Sequence, residues 1–596
     1  MLIIFATLVY KFKTNKMKKL LQLLIFIITA NASAQVPTFD WARTFGDNLS
    51  GATSVAVDNT GNVYTAGIFK NTGDFDSSSN TFNLTSNGVN DFYITKYDAL
   101  GNFIWAKNFG AVSSADPDNN EDQNVKITLD SQGNILFTGT FRGVGDFDPS
   151  AEIATISSPI FSSNYMPGNF ILKLNSDGIF VWVKKITAYL NCNGDSVFVD
   201  NSNNVYVIGN YFYTADLDPG PGVFTVTSGT NMNIYIVKLT STGEFIWGKS
   251  IDNNGGEQDL KNIKVDANYN VYLTGTFRNT LDLDPSASVF NVTSNGEKDT
   301  FFVKLDNLGN FLWGKSIGGQ DNDSASDISV DNLGNLFAVG VFALAVDFNP
   351  GVAVFLIDAS AILTNYLLKL DTNGNFNWAL KLGDSAKVPN VANDIQNNVY
   401  VSSGFSSLLG PIDADPGPNV FNLTTTPDND MYIFKLDTNS NFIWAFNYGD
   451  GVRRAAFDLL IDSNNKIYYC GKFNGWGVEN FVDLNPFAVD NSFSTSNTSF
   501  TIKLSQSGTL STQNFTTINK NLVYPNPANN EINLSFEKNL ENANIKIISI
   551  LGQTVFEKQN LSGNNLMFNV SDLSKGVYII QVKDGSSIST SKFIKQ

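Results

Sequence analysis

The sequence predicts an all-β protein: a seven-bladed β-propeller of four-stranded blades closed by its own N-terminal strand, followed by a small β-sandwich. Three observations predict this. A tryptophan-centred segment returns at a fixed period, and each period holds four short strands. The strand missing from the last period stands in front of the first.

The recurring segment is GNFIWAKNFG at Trp105, GIFVWVKKI at Trp182, GEFIWGKSI at Trp247, GNFLWGKSIGG at Trp313, GNFNWALKLG at Trp378 and NFIWAFNYGD at Trp444. FDWARTFG at Trp41 precedes them, and the successive tryptophans lie 64, 77, 65, 66, 65 and 66 residues apart. Within one unit, SVAVD (54–58) alternates apolar and polar residues and turns through Asn59-Thr60-Gly61 into NVYTAGIF, giving a tight hairpin. A long loop leads to DFYITKYD (91–98), and NFIWAKNFG follows the turn Ala99-Leu100-Gly101.

The first strand ends at Asp58, Asp130, Asp200, Asp266, Asp331, Asp394 and Asp462, which sets the number of units at seven. Each aspartate opens a turn whose amides its side chain can bond, and seven copies favour turn formation over catalysis. The tryptophans, repeated in the same way, read as packing residues between neighbouring sheets. The last unit ends at SFTIKLSQSG without a tryptophan strand, and FDWARTFG (39–46) supplies one. Pairing the two closes the ring and leaves no unpaired edge, which an open solenoid would not need.

These repeats, DxFIxKLDxxGNFxWxKxxG followed by VxVDxxGNVYxxGxF, resemble the bacterial SBBP β-propeller repeats over residues 39–505. The resemblance implies the propeller fold. It implies no particular activity, because the family shares none.

Composition narrows function. The formal charge is −17, and removal of the five lysines in residues 1–34 leaves −22. An acidic body argues against nucleic acid, whose affinity comes from lysine and arginine. The chain has no histidine, which excludes Ser-His-Asp and Cys-His pairs and histidine-bound metals. Cys192 and Cys470 fall in different repeats and make neither a disulfide framework nor a zinc site. At the front, Met17-Lys18-Lys19, the apolar run Leu20 to Ile28 and Ala32-Ser33-Ala34 read as a secretory signal over 1–34, with residues 1–16 an over-long start. Cleavage leaves Gln35 first, with no cysteine for a lipid anchor, and no later stretch is long and apolar enough to span a bilayer.

Binding sites are expected on the long loops after each second strand and the connections between blades. Those loops carry D-x-[DN] pairs: Asp74/Asp76, Asp146/Asp148, Asp216/Asp218, Asp282/Asp284, Asp347/Asn349, Asp413/Asp415 and Asp483/Asn485. They are structural turns or calcium ligands, the turn being favoured because a calcium loop normally offers more oxygens. Calcium is the one cofactor considered. Departures from the repeat are better candidates for a ligand: the insertion 111–123, the widened loop with Ile160, Phe161, Tyr165 and Met166, Arg453-Arg454, and Trp476 in FNGWGVENF. A loop tryptophan beside charge can stack on a sugar or simply plug a loop. An enzyme here would need a carboxylate pair, and the many aspartates single none out.

After a polar linker (505–521), the segments INLSF, IKIISI and VYIIQV alternate between Asn/Gly turns, as in a small β-sandwich. Residues 522–596 resemble the type A C-terminal sorting domain of the Bacteroidetes type IX secretion system. The resemblance rests on Tyr524-Pro525-Asn526-Pro527, Ile550-Leu551-Gly552-Gln553, Lys575-Gly576-Val577-Tyr578 and Lys592-Phe593-Ile594-Lys595. It implies export through the periplasm, recognition by the type IX machinery at the outer membrane, and attachment to the surface or release.

The sequence therefore predicts a signal (1–34), a propeller (35–504), a linker (505–521) and a sorting domain (522–596). The expected cargo role is non-catalytic binding of glycan or protein through the long-loop face. The alternatives are a polysaccharide-active enzyme using carboxylates on that face, and a structural surface component.

Overall fold

A computed structural model describes residues 36–47, 49–112, 123–252, 256–359, 363–384, 389–406, 411–417, 419–424, 429–448, 454–473, 481–485, 492–494, 499–506, 522–549, 554–584 and 587–596. The predicted signal and most of the predicted linker lie outside these residues. Among the described residues every regular element is a strand. The chain divides into two compact units, Met1–Ser507 and Gly508–Gln596.

In the first unit the fold is the predicted propeller. The innermost strands are Gly51–Val57, Gln123–Leu129, Ser196–Val199, Gln258–Val265, Ser324–Val330, Asn390–Asn393 and Arg454–Ile461, one per blade. Each contacts the next, and the seventh contacts the first, so the ring is closed. Closure comes from Thr38–Phe45, which pairs antiparallel with Ser499–Ser505 in the register Trp41↔Lys503 and Phe45↔Ser499. The last blade thus takes its outermost strand from the start of the chain, as the sequence predicts.

The repeated aspartates make the inner hairpins. Asp58 Oδ1 accepts the amides of Thr60 and Asn62, both at 2.9 Å, while Oδ2 accepts the Asn62 amide nitrogen and the Tyr64 hydroxyl. Burial works against ionisation here, but the bonds from Thr60 and Asn62 outweigh it and hold the Asp58 carboxyl below its ordinary value. The same bonds recur at Asp200, Asp266 and Asp394. These carboxylates have turn amides as partners and are not free for chemistry.

Two further repeated residues lock each blade to the next. A glycine with positive φ opens five of the tryptophan strands (Gly101, Gly178, Gly243, Gly309 and Gly374) and lies against the preceding blade's indole; a Cβ on Gly101 (φ 80°) would sit 2.7 Å from the Trp41 ring. The lysine of each third strand reaches across the same interface. Lys96 donates to Ser176 O at 2.7 Å, Lys173 to Ser241 O, Lys238 to Asn307 O, Lys304 to Thr372 O and Lys369 to Thr438 O. Lys435 donates to the Gln506 side chain, and Lys503 returns to Ala99 O of the first blade at 2.7 Å. Most of these ammonium groups lie over an aromatic ring of their own blade, as Lys304 does over Tyr272 at 4.7 Å. Replacing Lys304 by methionine keeps the stem and removes the charged donor to Thr372 O and Oγ1, leaving the carbonyl only the Trp313 indole. The expected cost is about 2 kcal/mol, read as a lower midpoint in urea at an unchanged slope.

The long loops depart from expectation. They do not crown one end of the ring; their repeated part folds back over the outer edge of the interface between blades. In the first blade Thr72–Asp74 pairs with Asn83–Thr85, Asp74 bridges to Gly46 of the preceding outermost strand, and the tip turns back towards Gly101 and Phe103. The Phe82 ring packs on Phe103 at 5.2 Å, as Phe224 does on Phe245 and Phe290 on Phe311. Asp347 likewise bridges to Gly318, and Val144–Asp146 pairs with the end of Phe103–Val112. The apolar residue between the two acids, Phe75, Phe147, Leu217, Leu283 or Phe348, is buried in the interface. Hydrophobic burial places the strap, and the aspartates shape it.

The second unit is one curled five-stranded sheet. Glu531–Ser549 serves both halves, pairing with Leu522–Tyr524, Thr554–Asn569 and Gly576–Asp584, and Ser587–Lys595 adds beyond the last. Ile532, Leu534, Phe536, Ile545, Ile547, Phe568, Ile580, Val582 and Phe593 form its core.

Candidate functional site

The paired acids of the straps come first, because they are the sequence's metal candidates. Asp74 Oδ1 accepts the amides of Asp76 and Phe82; Asp146 accepts those of Asp148 and Ala154. Asp216, Asp282 and Asp413 repeat the pattern with Asp218 and Phe224, Asp284 and Phe290, and Asp415 and Phe421. Asp148, Asp218, Asp284 and Asp415 each accept a further amide two residues on. Each series is a pair of nested Asx turns. Among the described residues no group of three or more His, Cys, Asp or Glu side chains is placed to hold a metal. Melting the chain with and without excess chelator is therefore expected to give the same midpoint.

Of the residues singled out as departures from the repeat, Trp476 and Arg453 lie outside the described residues, and Arg454 opens the innermost strand of the seventh blade. Tyr165 belongs to a small hairpin, Ile160–Phe161 against Asn164–Tyr165, in the widened loop of the second blade. Beside that hairpin the structure brings together three rings. Phe161 meets Tyr189 at 5.7 Å and Tyr189 meets Tyr213 at 6.1 Å, both edge to face. They are 39%, 59% and 41% exposed, and Ile160 is 60% exposed, which makes a solvent-facing aromatic platform. Backbone bonds fix its parts: Tyr189 N donates to Thr214 O at 2.8 Å, and Tyr213 N to Ser228 Oγ at 2.8 Å. Tyr213 has φ 66°, a left-handed backbone that costs free energy in a tyrosine. Only Phe161 was visible as a candidate in the sequence. Tyr189 comes from the connection after Phe180–Lys184, and Tyr213 from the strand Val205–Asp216, at the left-handed position three before the strap aspartate that Asn71, Asn279 and Leu344 fill in other blades; an aromatic side chain there is its one signal.

Buried acids also gather at this end of the ring. Burial raises the Asp195 carboxyl to about 7, with Asp259 adding to it, while Asn210 donates to its Oδ2. Burial raises Asp299 to about 6 and Asp323 to about 7. At 1% and 2% exposed, Asp299 and Asp323 are closed off from a polymer substrate.

In the second unit the motifs at its two ends meet. Asn526 Nδ2 donates to Lys592 O at 3.1 Å, and Ile594 N donates to Asn526 Oδ1 at 2.9 Å. Ala528 N donates to Ile594 O at 2.7 Å, so Tyr524-Pro525-Asn526-Pro527 is stapled to the last strand. The Tyr578 ring stacks on Phe593 at 5.5 Å, and its hydroxyl donates to Ser574 O. Gly576 opens the Tyr578 strand, Lys595 closes the last, and Gly552 lies outside the described residues.

Residues 522–596 match the secretion system C-terminal sorting domain. The sorting domain marks the chain for export by the type IX route, to the cell surface or the extracellular space, and implies interaction with that machinery. No helix among the described residues is long and apolar enough to cross a membrane. The remainder of the chain has more distant relatives. An uncharacterized WD repeat-containing protein of Acanthamoeba polyphaga mimivirus is 24% identical over 521 residues, taking in 75% of this chain and 37% of its own. A G-type lectin S-receptor-like serine/threonine-protein kinase of Oryza sativa subsp. indica is 27% identical over 166 residues, 24% of this chain and 20% of its own. The chain thus spans well under half the length of either relative. Among solved structures, the Pyrococcus horikoshii acylaminoacyl peptidase aligns with TM-score 0.34 and 8% identity, over 84% of this chain and 60% of its own.

Proposed function

We propose that the propeller is a non-catalytic binding module, delivered by its sorting domain and presented at or beyond the cell surface, that takes a glycan or a protein on its long-loop end. The observation that carries this is the platform of Phe161, Tyr189 and Tyr213. Exposed rings held by backbone bonds give large contact area at little entropic cost, and their faces suit sugar rings or apolar side chains. Elsewhere the repeated tryptophans, lysines and aspartates hold the ring together. A glycan is favoured by the platform's small extent and by the lectin-like name of the rice relative. The repeats are of SBBP type in this reading, the source is a member of the Bacteroidetes, and residues 1–34 are the secretory signal.

The test is a glycan panel presented to the purified chain, reading both binding and product release. Binding without products is expected, and replacement of Tyr189 by alanine is expected to weaken it about tenfold or more. Release of products would instead make the protein an enzyme.

A further inference from the structure

The innermost strands enclose a cavity at the centre of the ring. Counting back from the repeated aspartate, each innermost strand has a regular order. Three residues before it stand Val55, Ile127, Val197, Ile263, Ile328, Val391 and Leu459, all aliphatic. Four before it stands a polar layer that clasps neighbouring strands. Asp458 Oδ2 accepts Ser54 Oγ at 2.9 Å and Val55 N at 3.0 Å, Ser54 Oγ accepts Ile127 N, and Asp327 accepts the Asn262 amide and Val391 N. Lys126 donates to Thr53 O at 3.0 Å and more weakly to Phe457 O. Both positions are committed to holding the ring.

Two residues before the aspartate the rule lapses. Ala56, Thr128, Phe198, Lys264, Ser329, Ala392 and Leu460 share no chemistry, yet all seven line one cavity of about 360 Å³ on the ring axis. That volume lies within the range of small-molecule sites. Lys264 makes no hydrogen bond or ion pair among the described residues, whereas the seven repeated lysines and Lys126 are all bonded. The charges facing it are known. Asp327, which feels Lys264 and Lys126, sits in the adjacent layer, and Asp458 lines the cavity itself; the oxygens of both are taken by donors. The cavity also has a way in. Val57 and Leu129 line both it and a second cavity of about 570 Å³ at the turn end of the ring; that second cavity is also lined by Asn59, Thr60, Ser131 and Gln132 and by Asp58, Asp130 and Asp200, whose carboxylates accept turn amides. Turn-to-turn clasps such as Ser131 to Asn203 and Asn465 to Gln396 tie other blades, but among the described residues none joins the first blade's turn to the second's.

We propose that this channel binds a uronic-acid sugar, entering between the turns of the first and second blades, with its carboxylate on the Lys264 ammonium. The Phe198 ring offers an apolar face to the sugar, and the hydroxyls of Thr128 and Ser329 offer hydrogen bonds. A free ammonium in a narrow cavity selects a carboxylate over a neutral hydroxyl, because the field there is poorly screened.

The experiment uses the full chain and titrates D-glucuronate and D-glucose by calorimetry, against the native protein, Lys264→Met and Lys264→Arg. Glucuronate is expected to bind the native chain and Lys264→Arg, to lose tenfold or more with Lys264→Met, and to outcompete glucose by a similar factor. Lys264 donates no hydrogen bond among the described residues and acts on the buried Asp327 through space, so Lys264→Met is expected to melt in one cooperative step at a midpoint no higher than the native chain's, and that cooperative step certifies that it folds. Equal binding of glucose, equal binding by Lys264→Met, or no binding of glucuronate up to millimolar concentration would overturn the proposal. Tyr189→Ala leaves glucuronate binding unchanged if the channel is the site; a loss there would assign the sugar to the platform and overturn the channel.

Discussion

Replacing Trp41 by alanine is expected to destabilise the ring by about 3–5 kcal/mol, the cost of emptying a buried indole site. Trp41 is 5% exposed and lies against Gly101, and its Nε1 donates to Ala99 O at 3.3 Å. Arg43 Nε donates to Gly101 O at 2.6 Å, and Lys503 donates to the same Ala99 carbonyl. Three side chains of the closing blade thus grip one turn of the first, and two of them stand on the strand Thr38–Phe45. Removing that strand altogether should cost more than any core substitution. It frees the edge of Ser499–Ser505 and uncovers Ala52, Val55, Val63, Tyr468 and Cys470, which cluster around Trp41. Denaturant unfolding of the W41A chain reads the first effect, and light scattering of the truncated chain reads the second as aggregation. A W41A chain with native stability would mean that the ring does not depend on this junction.

Much of this architecture was legible because it repeats. A side chain present seven times at one spacing can be assigned without coordinates, as Asp58 and its six counterparts were to turns and the tryptophans to packing. The closing strand was legible by subtraction, since the seventh unit lacked what the chain's first segment carried. The course of the straps was not. Their length and polar residues suggested a crown of loops, whereas the buried Phe75, Phe147 and Leu217 pull them onto the outer wall. Nothing in the local pattern tells an apolar loop residue that enters an interface from one that waits for a ligand. The lysine circuit was in plain view as the K of DxFIxKLD, but a lysine's ordinary place is solvent. Only the fold shows seven of them crossing to the next blade's turn. The platform failed for a third reason, because Phe161, Tyr189 and Tyr213 stand in three segments separated along the chain. The sorting domain was the most legible part, and coordinates add why its motifs occur together: Asn526 bonds the strand that carries Lys592 and Lys595.

The second large effect concerns pH. Asp299 and Asp323 are buried together where the fourth blade meets the fifth. Asp299 Oδ2 accepts Asn295 N at 2.9 Å, and its Oδ1 has no partner. Asp323 accepts Gly319 N and, at 3.1 Å, Ala343 N. Burial is the main cause of both raised values, and at Asp323 the charges of Asp299 and Asp321 add to it; no cation is among the groups that shift either carboxyl. Folding therefore strengthens proton binding at both acids above the 3.8 of an unstrained aspartate. The stability they allow is full below about pH 4 and falls as pH rises through about 6 to 7. At Asp299 alone, a shift from 3.8 to about 6 corresponds to about 3 kcal/mol lost on the alkaline side. Asp299→Asn is the informative substitution. It keeps the acceptor for Asn295 N and removes the charge, whereas Asp323→Asn would give up one of two amide bonds. The Asp299→Asn chain is expected to be more stable than the native one at pH 8, to match it near pH 4, and to show a flatter curve between. Urea unfolding at pH 4, 6 and 8 measures this. A native curve that rises over the interval, with the variant running parallel to it, would show that the two acids stay ionised and that some unseen cation neutralises them.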